Sequence, residues 1–312
     1  MSVRSTVVGV TVAALAVVLG GCAAPVAPTA QSGVTTASPS ARRSGSGDVV
    51  RPAIGGRTPP AGFVWTPVPT TSLGQDAAYT AHPDARTWAL WMNPDLLRFR
   101  FVPGYRYPER SPVRAVDRRP SSWVPHLVAA FNGGFKLSDH VGGYYYAGTT
   151  EVPLRRGLAA LAVGLDGAMR VVVWGRDMTS TAGQLVVREN LPPIVDHGMS
   201  MTRPTDRLTT WGLPYRNILR TNRSALGQLS DGSLVYVYVH DAVPSQLAAA
   251  LIRFGAVTGI VLDMNTGWPA ALLYRHDGTR LRVTRLSPVM KQHLDAYDAR
   301  NEKEFIAVEA RT

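Results

Sequence analysis

PSQLAAALIRFGAVTGIVLD, Pro244–Asp263, changes its period in mid-course, and that change decides how the chain is read. Pro244 suits a first helical turn, Leu247 to Phe254 supplies an apolar face, and Gly255 suits the stop. Val257–Leu262 is then short, β-branched and apolar throughout, the pattern of a strand buried on both faces. It ends on Asp263. A carboxylate there must be paired, bound to a cation or hydrogen-bonded, because burying it bare is costly. Two readings stand side by side: a general acid–base group with a raised pKa, or a carboxylate capping a turn through backbone N–H groups.

Working outward, strands dominate. Thr87–Met92 and Leu96–Val102 flank Asn93-Pro94-Asp95, which reads as a hairpin turn. In the second of these, Leu97, Phe99 and Phe101 face one way and Arg98 and Arg100 the other, as in a half-buried antiparallel strand. Three further hairpins are signalled by Asp-Gly pairs, which accept the positive φ of tight turns. Asp166-Gly167 joins Leu158–Leu165 to Met169–Trp174, Asp231-Gly232 joins Ser224–Leu229 to Leu234–Val239, and Asp277-Gly278 joins Ala270–Tyr274 to Arg280–Thr284. The expected fold class is α+β: twisted, mainly antiparallel sheets with a few covering helices.

The N-terminus sets the setting. Arg4 precedes an apolar run, Val7 to Leu19, too short for a comfortable membrane span. It closes on Leu19-Gly20-Gly21-Cys22, which resembles a bacterial lipobox, with Cys22 as the lipidated residue. Cys22 is the single cysteine in 312 residues, so the mature chain forms no internal disulfide. Residues 1–21 read as a lipoprotein signal peptide and 22–60, rich in Ala, Pro, Ser, Thr and Gly, as a lipidated, disordered tether. Residues 61–312 read as the folded domain. The expected location is extracytoplasmic, anchored to the cell membrane by lipid. The net charge is +11 and almost wholly arginine, with Lys136, Lys291 and Lys303 as the lysines. The arginines are dispersed, which argues against nucleic acid and leaves an anionic envelope polymer or simply solvated faces.

His-Glu-x-x-His, a Cys/His metal cluster, a P-loop and a Gly-x-Ser-x-Gly elbow are all missing from the sequence. Three segments carry chemistry instead. In Asn132-Gly133-Gly134-Phe135 the glycines let backbone N–H groups approach an anion or a sugar, and Asn132 offers a donor and an acceptor; a plain Asn-Gly turn is the other reading. Arg223-Ser224-Ala225-Leu226-Gly227 places a guanidinium at a hairpin entry, where it could hold a phosphate bidentately. Gly259–Pro269, with Asp263, Asn265 and Trp268, is the third.

In this order the three segments resemble the phosphodiester glycosidase family, the uncovering-enzyme-like domain. The first motif matches from Asn132 to Phe135, the second at Arg223, Ala225 and Gly227, and the third at Leu262 and Asp263. The resemblance spans roughly Leu127 to Leu273. Two departures stand out: Met264-Asn265-Thr266-Gly267 replaces the family's glycine run, and Lys136 follows Phe135 where a second aromatic is common. The resemblance implies hydrolysis of a sugar-1-phosphate diester to free sugar and phosphate monoester. It implies Asp263 stabilising positive charge on the sugar ring or activating water, and Arg223 holding the phosphate with Lys136 or Arg156 as helpers. Asn132 and Asn265 would orient hydroxyls, Gly133 and Gly134 would leave backbone open, and Tyr144, Tyr145, Tyr146 and Trp268 would stack on sugars. His140, His197 and His240 are further acids to consider. No cofactor is expected, though a divalent cation on Asp263 and Asn265 remains open. The expected partners are a phosphodiester-linked glycan or envelope polymer and, through the lipid, a membrane. A non-catalytic glycan-binding lipoprotein with the same cleft is the competing reading.

Overall fold

The computed structural model describes residues 56–70, 75–109, 121–139, 141–277, 280–298 and 301–312. The expected signal peptide, Cys22, nearly all of the tether, and His140 lie outside the described residues. Asp48–Thr312 is one compact unit.

Three antiparallel sheets build it. The large sheet runs Thr66–Pro67, Ala78–Asp84, Thr87–Met92, Leu234–Ala242, Thr221–Leu229, Ala256–Met264, Val195–Asp196, Met199–Ser200. The second sheet runs Thr149–Val152, Tyr144–Tyr146, Gln184–Glu189, Ala159–Gly164, Met169–Val173. The third runs Arg280–Arg285, Ala271–Asp277, Leu127–Asn132, Phe305–Ala310, Leu97–Val102. The central core is shared by all three: Leu226 and Tyr236 come from the large sheet, Tyr144 and Leu161 from the second, Phe99, Phe131 and Ile306 from the third. Period-2 alternation does this sorting, since successive residues of a strand face opposite sides.

The helix, Pro244–Arg253, covers the other face of the large sheet. Its Leu247, Leu251 and the following Phe254 pack on Ala225, Val235, Val237 and Val261. The paired glycines Gly227 and Gly259 let it settle there. A Cβ on Gly259 would stand 2.8 Å from a Leu251 methyl, and one on Gly227 would stand 3.0 Å from the other. The stop at Gly255 has φ +84°, as the sequence suggests.

The strands flanking the three Asp-Gly pairs are partnered as expected, with Gly278 of the third pair outside the described residues. The hairpin across Asn93-Pro94-Asp95 does not form. Thr87–Met92 has both edges taken, by Ala78–Asp84 and Leu234–Ala242, so Leu97–Val102 crosses to the third sheet and pairs with Phe305–Ala310. Its alternation holds: Leu97, Phe99 and Phe101 are buried, and Arg98 is exposed. The fold is also more β than α+β. One α-helix and a few short 3-10 turns occur among the described residues, because the sheets cover one another's inner faces and leave little for helices to shield. No helix among the described residues is long and apolar enough to cross a membrane.

Candidate functional site

The three sequence segments meet where the large and third sheets come together. Asn132 ends its strand and Asp263 stands next to last in its own. The backbone N–H of Asp263 donates to the Gly133 carbonyl (3.0 Å). Ser224 ties the group: its hydroxyl donates to the Asp263 carbonyl (2.8 Å) and accepts from Asn132 Nδ2 (3.0 Å). Asn132 Nδ2 also donates to the Gly133 carbonyl (3.1 Å), while Oδ1 accepts from the Tyr236 hydroxyl (2.8 Å) and the Ala270 N–H (3.0 Å). The Asn132 amide therefore braces four segments and spends its hydrogen-bonding capacity inside the protein.

The glycine pair is engaged in the same way. Gly133 N–H donates to the Glu304 carbonyl (3.1 Å), Gly134 N–H to Glu304 Oε1 (2.8 Å) and Phe135 N–H to Asn190 Oδ1 (3.2 Å). A Cβ on Gly133 would fall 2.4 Å from Glu304 Cγ, and one on Gly134 2.4 Å from Asn190 Oδ1. These glycines admit protein side chains to the backbone.

Asp263 has a different surrounding. Oδ1 accepts from the Met264 N–H (2.8 Å), and Oδ2 is bonded and ion-paired to Lys303 Nζ. The ammonium sits 4.1 Å from the centroid of the Trp268 ring. Burial pushes the Asp263 carboxyl up, more strongly than the Lys303 charge and the Met264 N–H pull it down. Both side chains are buried, with 11% of the Lys303 side chain and 6% of the Asp263 side chain exposed. Lys136 follows the glycine loop, next after Phe135. Its Nζ lies 4.5 Å from the centroid of the Tyr107 ring. The hydrogen bond to Tyr107, and the charges of Asp139 and Glu302 beside it, hold the Lys136 ammonium above its usual range.

Behind this lies a sealed ion pair. Arg188 Nε donates to Glu304 Oε2 (3.1 Å), with the side chains 1% and 2% exposed. The guanidinium also donates to the carbonyls of Glu189 and Phe135. Next to it, Glu189 accepts from the N–H groups of Gly143 (2.7 Å) and Arg155 (3.0 Å). Burial pushes its carboxyl up to about 7. The second glycine pair is explained by this contact: a Cβ on Gly142 would meet the Glu189 carbonyl at 2.4 Å.

Arg223 joins the cluster through its strand but not through its guanidinium. Nε donates to the Ala242 carbonyl (2.9 Å), Nη1 to that of Trp211 (3.3 Å) and Nη2 to that of Leu219 (2.9 Å). Nη1 also touches Met264 Sδ (3.5 Å). With no carboxylate against it, burial lowers its pKa to about 10. Asn265 takes φ +80°, so the left-handed conformation that glycine favours is kept by an asparagine. Its Oδ1 accepts from the Tyr215 N–H (2.9 Å) and its Nδ2 donates to the Leu213 carbonyl (3.4 Å).

The remaining sequence candidates stand elsewhere. Tyr144 and Tyr146 pack into the central core beside Phe101. Tyr145 points to the opposite face, against the cluster of Ala160, Ala162, Val172 and Val187. Arg156 is exposed beside Gly175. His197 sits with Arg176 and Asp196 on the surface, and His240, third from the end of the Leu234–Ala242 strand, bonds Arg86 through its backbone N–H and carbonyl. Lys303, Glu304, Arg188, Glu189 and Ser224 were not singled out from the sequence. One signal was available for Lys303: in a chain with 33 Lys and Arg, lysine is rare, and Lys303 is one of three. A cavity of about 450 Å³ opens beside Phe135, lined by Gly142, Arg155, Asn190, Gly212 and Leu213. Among the described residues no group of three His, Cys, Asp or Glu is placed to hold a metal ion.

No family model matches the chain, and no curated protein matches it. Solved structures do. The catalytic domain of zebrafish N-acetylglucosamine-1-phosphodiester α-N-acetylglucosaminidase, auto-inhibited by its pro-peptide, aligns at 12% identity and TM-score 0.39, covering 80% of this chain and 82% of that one. A hypothetical protein from Synechocystis aligns at 12% identity and TM-score 0.38, covering 80% of this chain but 62% of its own length. A protein from Burkholderia pseudomallei K96243 described as exported aligns at 10% identity and TM-score 0.34, covering 75% of each chain. These are distant likenesses of fold.

Proposed function

We propose that the chain is a cell-envelope glycosidase that hydrolyses sugar-1-phosphate diesters, held at a membrane through a lipidated Cys22. The observation that carries the reading is the Asp263–Lys303 pair: a carboxylate pushed up by burial, whose ammonium partner stands against the face of Trp268. The reaction breaks the bond between the anomeric carbon and the phosphate oxygen. Water supplies the oxygen that the sugar keeps, and the phosphate leaves as a monoester. Positive charge grows on the sugar ring, and Asp263 is the carboxylate that meets it or takes the proton from water. The leaving phosphate needs a cation more than a proton, and Lys303 with Lys136 supplies it. Trp268 offers its face to the sugar once the ammonium moves to the phosphate. Asn132 and Ser224 are positioning residues, and Arg223 with Asn265 ties down the segment from Trp211 to Tyr215 and Leu219. Tyr145 and Arg156 enter only as outlying contacts to a long glycan.

One observation favours the second reading, a glycan-binding protein without turnover. The N–H groups of the glycine loop and the donors of Arg223 end on protein acceptors. An aryl sugar-1-phosphate diester separates the two. Release of sugar supports hydrolysis, and saturable binding without release supports the binder. Loss of release on adding chelator would transfer the chemistry to a metal-assisted route.

A further inference from the structure

We infer that the arm from Met199 to Arg220 is a docking surface for an anionic phospholipid bilayer. Ten large apolar side chains are exposed among the described residues, and six of them lie on this arm. Tyr215 is 68% exposed, Leu213 60% and Ile218 56%, with Leu219 beside them. Apolar side chains scattered singly need no explanation, but a concentration on one segment does.

The arm is held outward. Arg223 grips the carbonyls of Trp211 and Leu219, and Asn265 grips Leu213 and Tyr215 through their backbones. At the tip, Arg216 and Asn217 both take positive φ, 55° and 58°. Neither is glycine, so that conformation is strained and is kept by the anchoring on either side. An apolar tip presented on fixed backbone loses little freedom when it is buried.

Charge selects the occupant. Arg207 and Arg216 are exposed and meet no carboxylate among the described residues. Apolar side chains inserted at the boundary, with arginines at headgroup level, are the chemistry of interfacial binding to anionic lipid. A soluble glycan would be served by flat rings and hydrogen-bonding groups, which Leu213, Ile218 and Leu219 lack. The chain's net charge of +11 adds a long-range attraction of the same sign.

The compact unit Asp48–Thr312 carries all the described strands and their apolar cores, so it serves as the test protein. It is sedimented with vesicles of phosphatidylcholine alone and of phosphatidylcholine with phosphatidylglycerol. Binding is expected to the anionic vesicles and to fall with salt. The triple change Tyr215→Ser, Ile218→Ser, Leu219→Ser should lower the partition coefficient at least about tenfold. Should the triple variant lose its fold by circular dichroism, Ile218→Ser alone should still cost about threefold or more. Arg207→Gln with Arg216→Gln should remove the preference for anionic vesicles. Equal binding by wild type and Ile218→Ser, or no binding by either, overturns the inference. A dimer seen by ultracentrifugation and lost in Ile218→Ser, with no vesicle binding, would assign the patch to a second copy of the chain.

Discussion

Lys303 and Glu304 are neighbours in sequence, and each forms a buried ion pair, yet the two pairs differ in kind. Glu304 and Arg188 are sealed, at 2% and 1% exposure, and their remaining bonds go to backbone. Lys303 and Asp263 are slightly less buried, at 11% and 6% exposure, with the ammonium against an indole face and the carboxyl pushed up by burial. A sealed pair with satisfied hydrogen bonds has nowhere to move, and losing either partner strands a charge. Lys303 has one bonded carboxylate oxygen and an indole face instead, so its ammonium is the less tied of the two cations. The same stretch of chain thus supplies two differently held ion pairs, one residue apart.

The sharpest way to break the contrast is Asp263→Asn. Sugar release should fall about a thousandfold in steady-state assays, within the range for loss of a general acid–base group. Unchanged turnover would remove Asp263 from the proposed mechanism. Next comes Arg188→Met, expected to cost about 3–5 kcal/mol in denaturant unfolding because it leaves Glu304 buried without its cation. A cost no larger than that of Lys303→Met would show the two pairs to be alike.

Gly134→Ala should cost about 1–3 kcal/mol, since its Cβ would meet the Asn190 amide at 2.4 Å. Thermal melting reads this, and a silent substitution would mean that the loop relaxes away from Asn190. Glu189 tests the electrostatics. Its folded pKa, about 7, lies above its ordinary value of 4.5. The stability linked to it is therefore full below about pH 4.5 and is lost as pH rises through about 7, with a slope of up to about one proton. Glu189→Gln should flatten melting temperature against pH over that window. The smallest effect is expected for Arg156→Ala, within about 0.5 kcal/mol of wild type, as for other exposed side chains. A clear fall in substrate affinity there would extend the site across the second sheet.

Much of the fold is legible in the sequence because its signals are local. Asp166-Gly167 and Asp231-Gly232 mark hairpins through the φ values they accept, and Pro244 with Gly255 brackets the helix. The Asn93-Pro94-Asp95 turn is equally local, but the choice of partner for Leu97–Val102 is not. That choice depends on which strand edges are already occupied. The sequence expectation joins Asn132, Arg223 and Asp263, whereas the residue that bonds both Asn132 and Asp263 is Ser224, the neighbour of Arg223. What each side chain bonds there is not legible in the order of the motifs.

From its own order of residues the chain shows the Asp-Gly hairpin strands, the Pro244–Arg253 helix and the placing of Asp263 at the end of an apolar run, but not the strands Ala78–Asp84, Gln184–Glu189 and Phe305–Ala310. Tertiary structure alone decides that Lys303, 40 residues further on, becomes the partner of Asp263, and that Glu304 meets Arg188 across 116 residues. It decides likewise that the Asn132 amide is met by Tyr236, 104 residues away. Period and turn chemistry act over a few residues, whereas a buried charge is balanced by whatever the packed sheets bring within hydrogen-bond reach.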